Sequence, residues 1–228
     1  MKLSVSPPID KLLNGGIEAG CITNFYGPPG TGKSQIAMMA ALACIADGKK
    51  AVYVDTEGGF SLERMEQLSD DMKKLSERII LLEPTTWDEQ KDAIRKVDAI
   101  CKKESVGLII VDSMVALWRL TINDDDHGEV NKELATQLSM LSRLARAKNI
   151  PVLLTNQVYE DIESGKTELS SKNIVKWWSK NLVELVHTGR AGCRLARVAK
   201  ARALPEDKSV EFQICDKGLK EASKWNPF

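Results

Sequence analysis

The sequence predicts an α/β fold: a mainly parallel central sheet with helices on both faces and an antiparallel extension at its C-terminal end. Three observations carry this. Short apolar runs alternate with helix-length segments between residues 21 and 156. The stretch GPPGTGKS (27–34) matches G-x-x-x-x-G-K-[ST] and falls between the first run and the first helix. After residue 180 the rhythm changes to closely spaced strand-like segments. A chain of 228 residues, 43% hydrophobic and 28% charged, is long enough for one large domain, and 1–228 is read as a single unit.

The elements follow in order. CITNFY (21–26) is an apolar run that stops at a Gly/Pro cluster, which suits a buried strand. GKSQIAMMAALACIADG follows as an Ala- and Met-rich helix closed by Gly48. AVYVD (51–55) is the second strand, and residues 61–75 read as a helix with Ser61 as its N-cap. IILL (79–82) is the third strand. WDEQKDAIRKVDAICKK is an amphipathic helix with Ile94, Val97 and Ile100/Cys101 on one side. GLIIVDS (107–113) is a fourth, wholly apolar strand. Residues 129–148 are helical, with Leu134, Leu138, Leu141 and Leu144/Ala145 as the buried stripe, and IPVLLTN (150–156) is the fifth strand. NLVELVH, CRLARVAKA and SVEFQIC then read as three antiparallel strands.

Composition excludes several classes. The 32 basic and 32 acidic residues cancel, so any nucleic-acid contact has to come from a local patch. Five scattered cysteines without a CxxC pair argue against a metal cluster or a disulfide framework. There is no signal-peptide core and no membrane-length apolar run, so a cytoplasmic protein without a membrane partner is expected.

The 27–34 stretch carries the chemistry of phosphate binding. Gly27, Pro28, Pro29, Gly30, Thr31 and Gly32 would let backbone N–H groups curl around an anion at a helix N-terminus. Lys33 would supply charge to terminal phosphates, and the Ser34 hydroxyl would serve Mg²⁺. Asp112 ends an apolar strand at the ligand-facing end of such a sheet and is expected to hold the Mg²⁺ shell through water; capping the next helix is the competing role. In VDTEGGF, Glu57 lies past the strand end beside two glycines and is the candidate base that polarises the attacking water. Asp55 is the structural partner, and turn chemistry would account for either. Gln157, after the fifth strand, is a candidate γ-phosphate sensor, with simple capping as the alternative.

Together LLNGGIEAGCITNFYGPPGTGKSQ, VYVDTEGGFSLERM, LIIVDS, LLTNQV and ALPE, in that order, resemble the ATPase core of the RecA/RadA recombinase family across residues 11–206, nearest to its short archaeal branch. The resemblance implies a RecA-like P-loop core using ATP and Mg²⁺, with Glu57 as catalytic glutamate and Gln157 as sensor. Arg64 matches the arginine that packs on adenine. It implies work in DNA recombination and repair, with single- or double-stranded DNA and the main RadA-type recombinase as partners. A non-hydrolysing ATP-switched module and a KaiC-like signalling ATPase are the alternatives. The family's N-terminal helical domain and inserting linker are expected to be missing, so a dimer or small oligomer is expected rather than a long filament. Asp124, Asp125 and Asp126 stand in a loop where a recombinase places basic residues.

Residues 166–202 hold Lys166, Lys172, Lys176, Lys180, Arg190, Arg194, Arg197, Lys200 and Arg202 against Glu168 and Glu184, with Trp177 and Trp178 among them. Basic and aromatic residues so mixed suit single-stranded DNA, and one of two adjacent tryptophans should be buried. Within VAKARALPE, Lys200 and Arg202 are expected on one strand face, where like charges need an anion. The family match begins this stretch with a cation-binding aspartate beside a neighbour's γ-phosphate. Lys200 and Arg202 are therefore candidates for a phosphate contact in trans, with a DNA surface or a solvated strand edge as the competing readings.

Overall fold

The computed structural model describes residues 1–71, 76–122, 127–160, 167–169 and 173–222. The strands are β1 (Lys2–Leu3), β2 (Ile17–Glu18), β3 (Ile22–Tyr26), β4 (Lys50–Asp55), β5 (Ile79–Leu82), β6 (Val106–Asp112), β7 (Val152–Asn156), β8 (Val158–Glu160), β9 (Thr167–Leu169), β10 (Asn181–His187), β11 (Cys193–Lys200), β12 (Ser209–Cys215) and β13 (Gly218–Glu221). The helices are α1 (Pro7–Leu12), α2 (Lys33–Ala46), α3 (Leu62–Leu68), α4 (Trp87–Lys103), α5 (Ala116–Thr121), α6 (His127–Lys148) and α7 (Ile174–Trp178).

Nine strands form one sheet in the order β13-β12-β11-β10-β3-β7-β6-β4-β5. Pairing is parallel from β10 through to β5 and antiparallel among β10, β11, β12 and β13. The central strands are apolar along their whole length because both faces are covered. Successive side chains alternate between two cores. Leu108 and Ile110 join Phe25, Ile36, Ala40 and Tyr53 under α1 and α2. Ile109 and Val111 join Ile94, Val97, Leu134, Leu138 and Leu141 under α4 and α6.

Local signals set the element ends. Ser61 Oγ accepts from the Arg64 N–H to start α3. Thr86 and Glu89 cap α4 reciprocally.

Four sequence expectations need correction. The helix expected over 61–75 ends at Leu68, where Ser69 turns extended. Ser69, Asp70 and Asp71 follow, and short polar side chains of this kind compete with helix for backbone hydrogen bonds. Residues 72–75 lie outside the described set. The C-terminal extension gains a strand, β13, through the tight turn at Asp216–Lys217, with Gly218 at φ +116°. The first strand of that extension, β10, runs parallel to β3. Finally, the strand carrying Lys200 stops at that residue, so Arg202 is beyond it and does not share its face. The short elements α1, β1, β2, α5 and α7 carry no periodicity long enough to announce them.

Candidate functional site

The parallel strands β3, β4, β6 and β7 end at one side of the sheet, and their loops bring the candidate residues together there. The phosphate-loop backbone depends on glycine. Gly27, Gly30 and Gly32 have φ of +156°, +72° and +99°. A Cβ on Gly27 would stand 2.1 Å from the Leu185 carbonyl oxygen of β10. α2 then starts at Lys33 with no side-chain cap, which leaves its first N–H groups free to face an anion. Lys33 is buried, and its ammonium donates to the carbonyls of Gly27 and Pro28, each at 2.8 Å. Burial lowers its pKa, while Glu57 and Asp112 work against that shift.

Asp112 is buried at the end of β6. It accepts from Tyr53 Oη at 2.7 Å, from Thr155 Oγ1, and from the Ser34 hydroxyl. Burial raises its pKa, and these three donors pull it back down. Ser34 and Asp112 thus share one hydrogen bond, the pairing that a hydrated divalent cation requires. The residues present fit that ion.

Glu57 is exposed beyond β4 and is gripped from two sides. Ser113 Oγ donates to Oε1 at 2.7 Å, and Gln157 Nε2 donates to Oε2 at 3.0 Å. Asp55 does a different job: it accepts from the backbone N–H groups of Glu57, Gly59 and Phe60 at 3.1, 3.2 and 2.7 Å and so folds the loop that carries Glu57. Thr56 Oγ1 donates to Ser113 O at 2.7 Å and accepts from Ser113 N at 2.9 Å, which ties that loop to the end of β6.

Arg64 lies at the side of this cleft. Its guanidinium donates to Gln35 Oε1 at 2.8 Å, to Gln67 Oε1 at 2.7 Å, and to the carbonyls of Cys215 and Asp216 at 2.7 and 3.2 Å. The β12–β13 hairpin is therefore latched to α2 and α3.

Sequence reasoning missed Ser113, Tyr53 and Thr155, and also two side chains of the extension. His187 Nε2 is 3.1 Å from Pro29 O, and Arg194 Nε donates to Gly30 O at 2.9 Å. Of these only Ser113, next to Asp112, carried any signal in the sequence.

The basic stretch 166–202 is not one surface. Arg190 and Arg194 sit at the phosphate-loop end of β10 and β11, and Arg190 pairs with Glu211. Arg197 pairs with Glu184. Lys176, Lys180, Lys200 and Arg202 are at the opposite end of the sheet, because β11 runs antiparallel to β10. From there Lys200 and Arg202 cannot reach the phosphate loop of their own chain. Lys200 Nζ donates to the carbonyls of Lys176 and Ser179 at 2.9 and 3.0 Å and so closes the end of α7. Trp177 is exposed and Trp178 is partly buried. Lys166, Lys172, Asp124, Asp125 and Asp126 lie outside the described residues. Among the described residues no helix is long and apolar enough to cross a membrane.

Comparison with known proteins identifies the family and agrees with the fold. A family model described as Rad51 matches residues 3–222. The chain is 40% identical over 215 residues to the DNA repair and recombination protein RadB of Methanosphaera stadtmanae, covering 92% of each chain. It is 38% identical over 220 residues to the protein of the same name from Methanococcoides burtonii, covering 96% of each. A solved structure titled as the crystal structure of the RadB recombinase superposes with a TM-score of 0.83 at 31% identity, covering 97% of this chain and all of that one.

Proposed function

This chain belongs to the Rad51 family, and from that premise we propose that it is a nucleotide-dependent DNA recombination and repair protein. In detail, it binds ATP with Mg²⁺, hydrolyses it weakly when DNA is bound, and assists the main recombinase. Residues 1–228 act as one RecA-like unit, a reading that the single nine-stranded sheet supports.

One observation carries the chemistry: two hydrogen-bonded groups, Ser34 with Asp112 and Ser113 with Glu57 and Gln157, meet beside Lys33 through the adjacent residues Asp112 and Ser113. Bound Mg²⁺ would neutralise phosphate charge and favour phosphoryl transfer. Ser34 and Asp112 are the residues that would hold it. Lys33 leaves its two loop carbonyls to meet phosphate oxygens, and the glycine loop offers its N–H groups. Glu57 accepts the proton of the attacking water, and Ser113 keeps its carboxylate aimed. Gln157 trades its bond to Glu57 for one to the terminal phosphate, which makes it the link to the segment after β7. Arg64 lies where a base would be held at the side of the cleft.

The test separates binding from chemistry. Lys33→Ala is expected to abolish binding of a fluorescent ATP analogue. Glu57→Gln should bind it at parent affinity but hydrolyse ATP far more slowly. Equal hydrolysis by Glu57→Gln and the parent would remove Glu57 from the role of base.

A further inference from the structure

We infer that the groove between α6, α7 and the end of β11 holds a segment of single-stranded DNA, with Trp177 as its base-stacking platform. This rests on the DNA-binding function proposed above and adds a site away from the nucleotide cleft. The groove encloses about 380 Å³ and is lined by Gly20, Cys21, Arg146, Trp177, Lys180 and Arg202, among others. It opens at the end of the sheet opposite the phosphate loop, since Lys180 N bonds Ile22 O at the start of β3.

Three features point to this ligand. First, Trp177 is 79% exposed, although a side chain of that size ordinarily covers apolar surface. Its neighbour Trp178 packs against the core of α6 and anchors the short helix. Lys200 ties down the same C-terminal end of α7 through two carbonyls. The exposed ring is therefore presented on a fixed support. Second, Arg146, Lys176, Lys180 and Arg202 take part in no ion pair among the described residues, whereas Arg190 and Arg197, elsewhere in the same basic stretch, are each paired with a glutamate. The Glu18 carboxylate, which bonds the groove residue Cys21, is taken up by that thiol and by Asn181. Third, Arg146, Lys180 and Arg202 line the same groove as the ring. Unpaired cations beside an exposed aromatic face match a chain of phosphates carrying unstacked bases. A duplex hides its base faces and a polyanion has none, so neither would use Trp177.

Fluorescein-labelled oligothymidylate is the probe, titrated into the full chain by anisotropy at several salt concentrations. Trp177→Ala should weaken binding about 5- to 150-fold, and Trp177→Phe should recover most of the loss. The same Trp177→Ala change should leave affinity for an abasic oligomer nearly unaltered. Lys180→Ala/Arg202→Ala should reduce the slope of log K against log salt by about 1.4, at about 0.7 per phosphate contact. All of these side chains are at the surface or partly so, and circular dichroism would verify that the variants fold. A parent chain that binds no single-stranded DNA overturns the DNA function as a whole. A parent that binds, with affinity and slope unchanged in the variants, overturns only the groove. Unchanged DNA affinity with an altered mass distribution would mean that a second copy of the chain occupies it, and the inference would be wrong.

Discussion

Ser113→Ala isolates the grip on Glu57. The Ser113 hydroxyl is buried and donates to the Glu57 carboxylate at 2.7 Å. Its backbone is held separately, through Thr56 Oγ1, so the substitution removes one oxygen and leaves the loop tied down. A hydrogen bond to a charged group contributes about 1.5–3 kcal/mol. If that energy aims Glu57 in the transition state, single-turnover hydrolysis falls by about 10- to 150-fold. Nucleotide affinity should stay within about twofold of the parent, because the hydrogen bonds of Ser113 go to Thr56 and Glu57 and not to the phosphate loop. The assay is phosphate release from pre-bound ATP, alongside a binding titration. A double-mutant cycle with Glu57→Gln sharpens it: Ser113→Ala should do almost nothing further once the carboxylate is gone. An equal rate loss in both backgrounds, or an affinity loss as large as the rate loss, would refute the argument.

Two further predictions concern packing and ionisation. Gly27→Ala would drive a Cβ to 2.1 Å from the Leu185 carbonyl oxygen, so the backbone of β10 or the loop must move. Overpacking of this kind costs about 1–3 kcal/mol, or roughly 2–12 °C in Tm for a chain of this size, and calorimetry showing an unchanged Tm with intact nucleotide binding would contradict it. The Cys21 thiol is pushed up to about 12, first by burial and then by Glu18. Its folded pKa lies above the ordinary thiol value of 9.0, so the stability it contributes is intact below pH 9 and is lost as pH rises toward 12. Iodoacetamide at pH 9 should label Cys21 much more slowly in the native chain than in urea, as read by peptide mass spectrometry; equal rates would show the thiol to be open and ionised.

The sequence by itself determined what depends on neighbours along the chain. The phosphate loop was legible because glycine, lysine and serine at fixed spacing have one physical use between a strand and a helix. The parallel sheet was legible because strands covered on both faces are apolar throughout. The stripe of Leu134, Leu138 and Leu141 and the cap at Ser61 follow from helical geometry alone. Asp112, Glu57 and Gln157 could be named because each falls at or just past the end of a strand.

Tertiary structure decided how these parts meet. Ser113 and Gln157 are 56 and 100 residues from Glu57, and only the adjacency of β7, β6 and β4 lets them share its carboxylate. Tyr53 and Thr155 close on Asp112 for the same reason, as neighbours across strands. The antiparallel course of β11 carried Arg194 to the phosphate loop and left Lys200 at the far end of the sheet, dividing a basic stretch that looks continuous in one dimension. Periodicity reports which face of an element is buried, but strand order is set by how whole layers pack, and that information is not local to any residue.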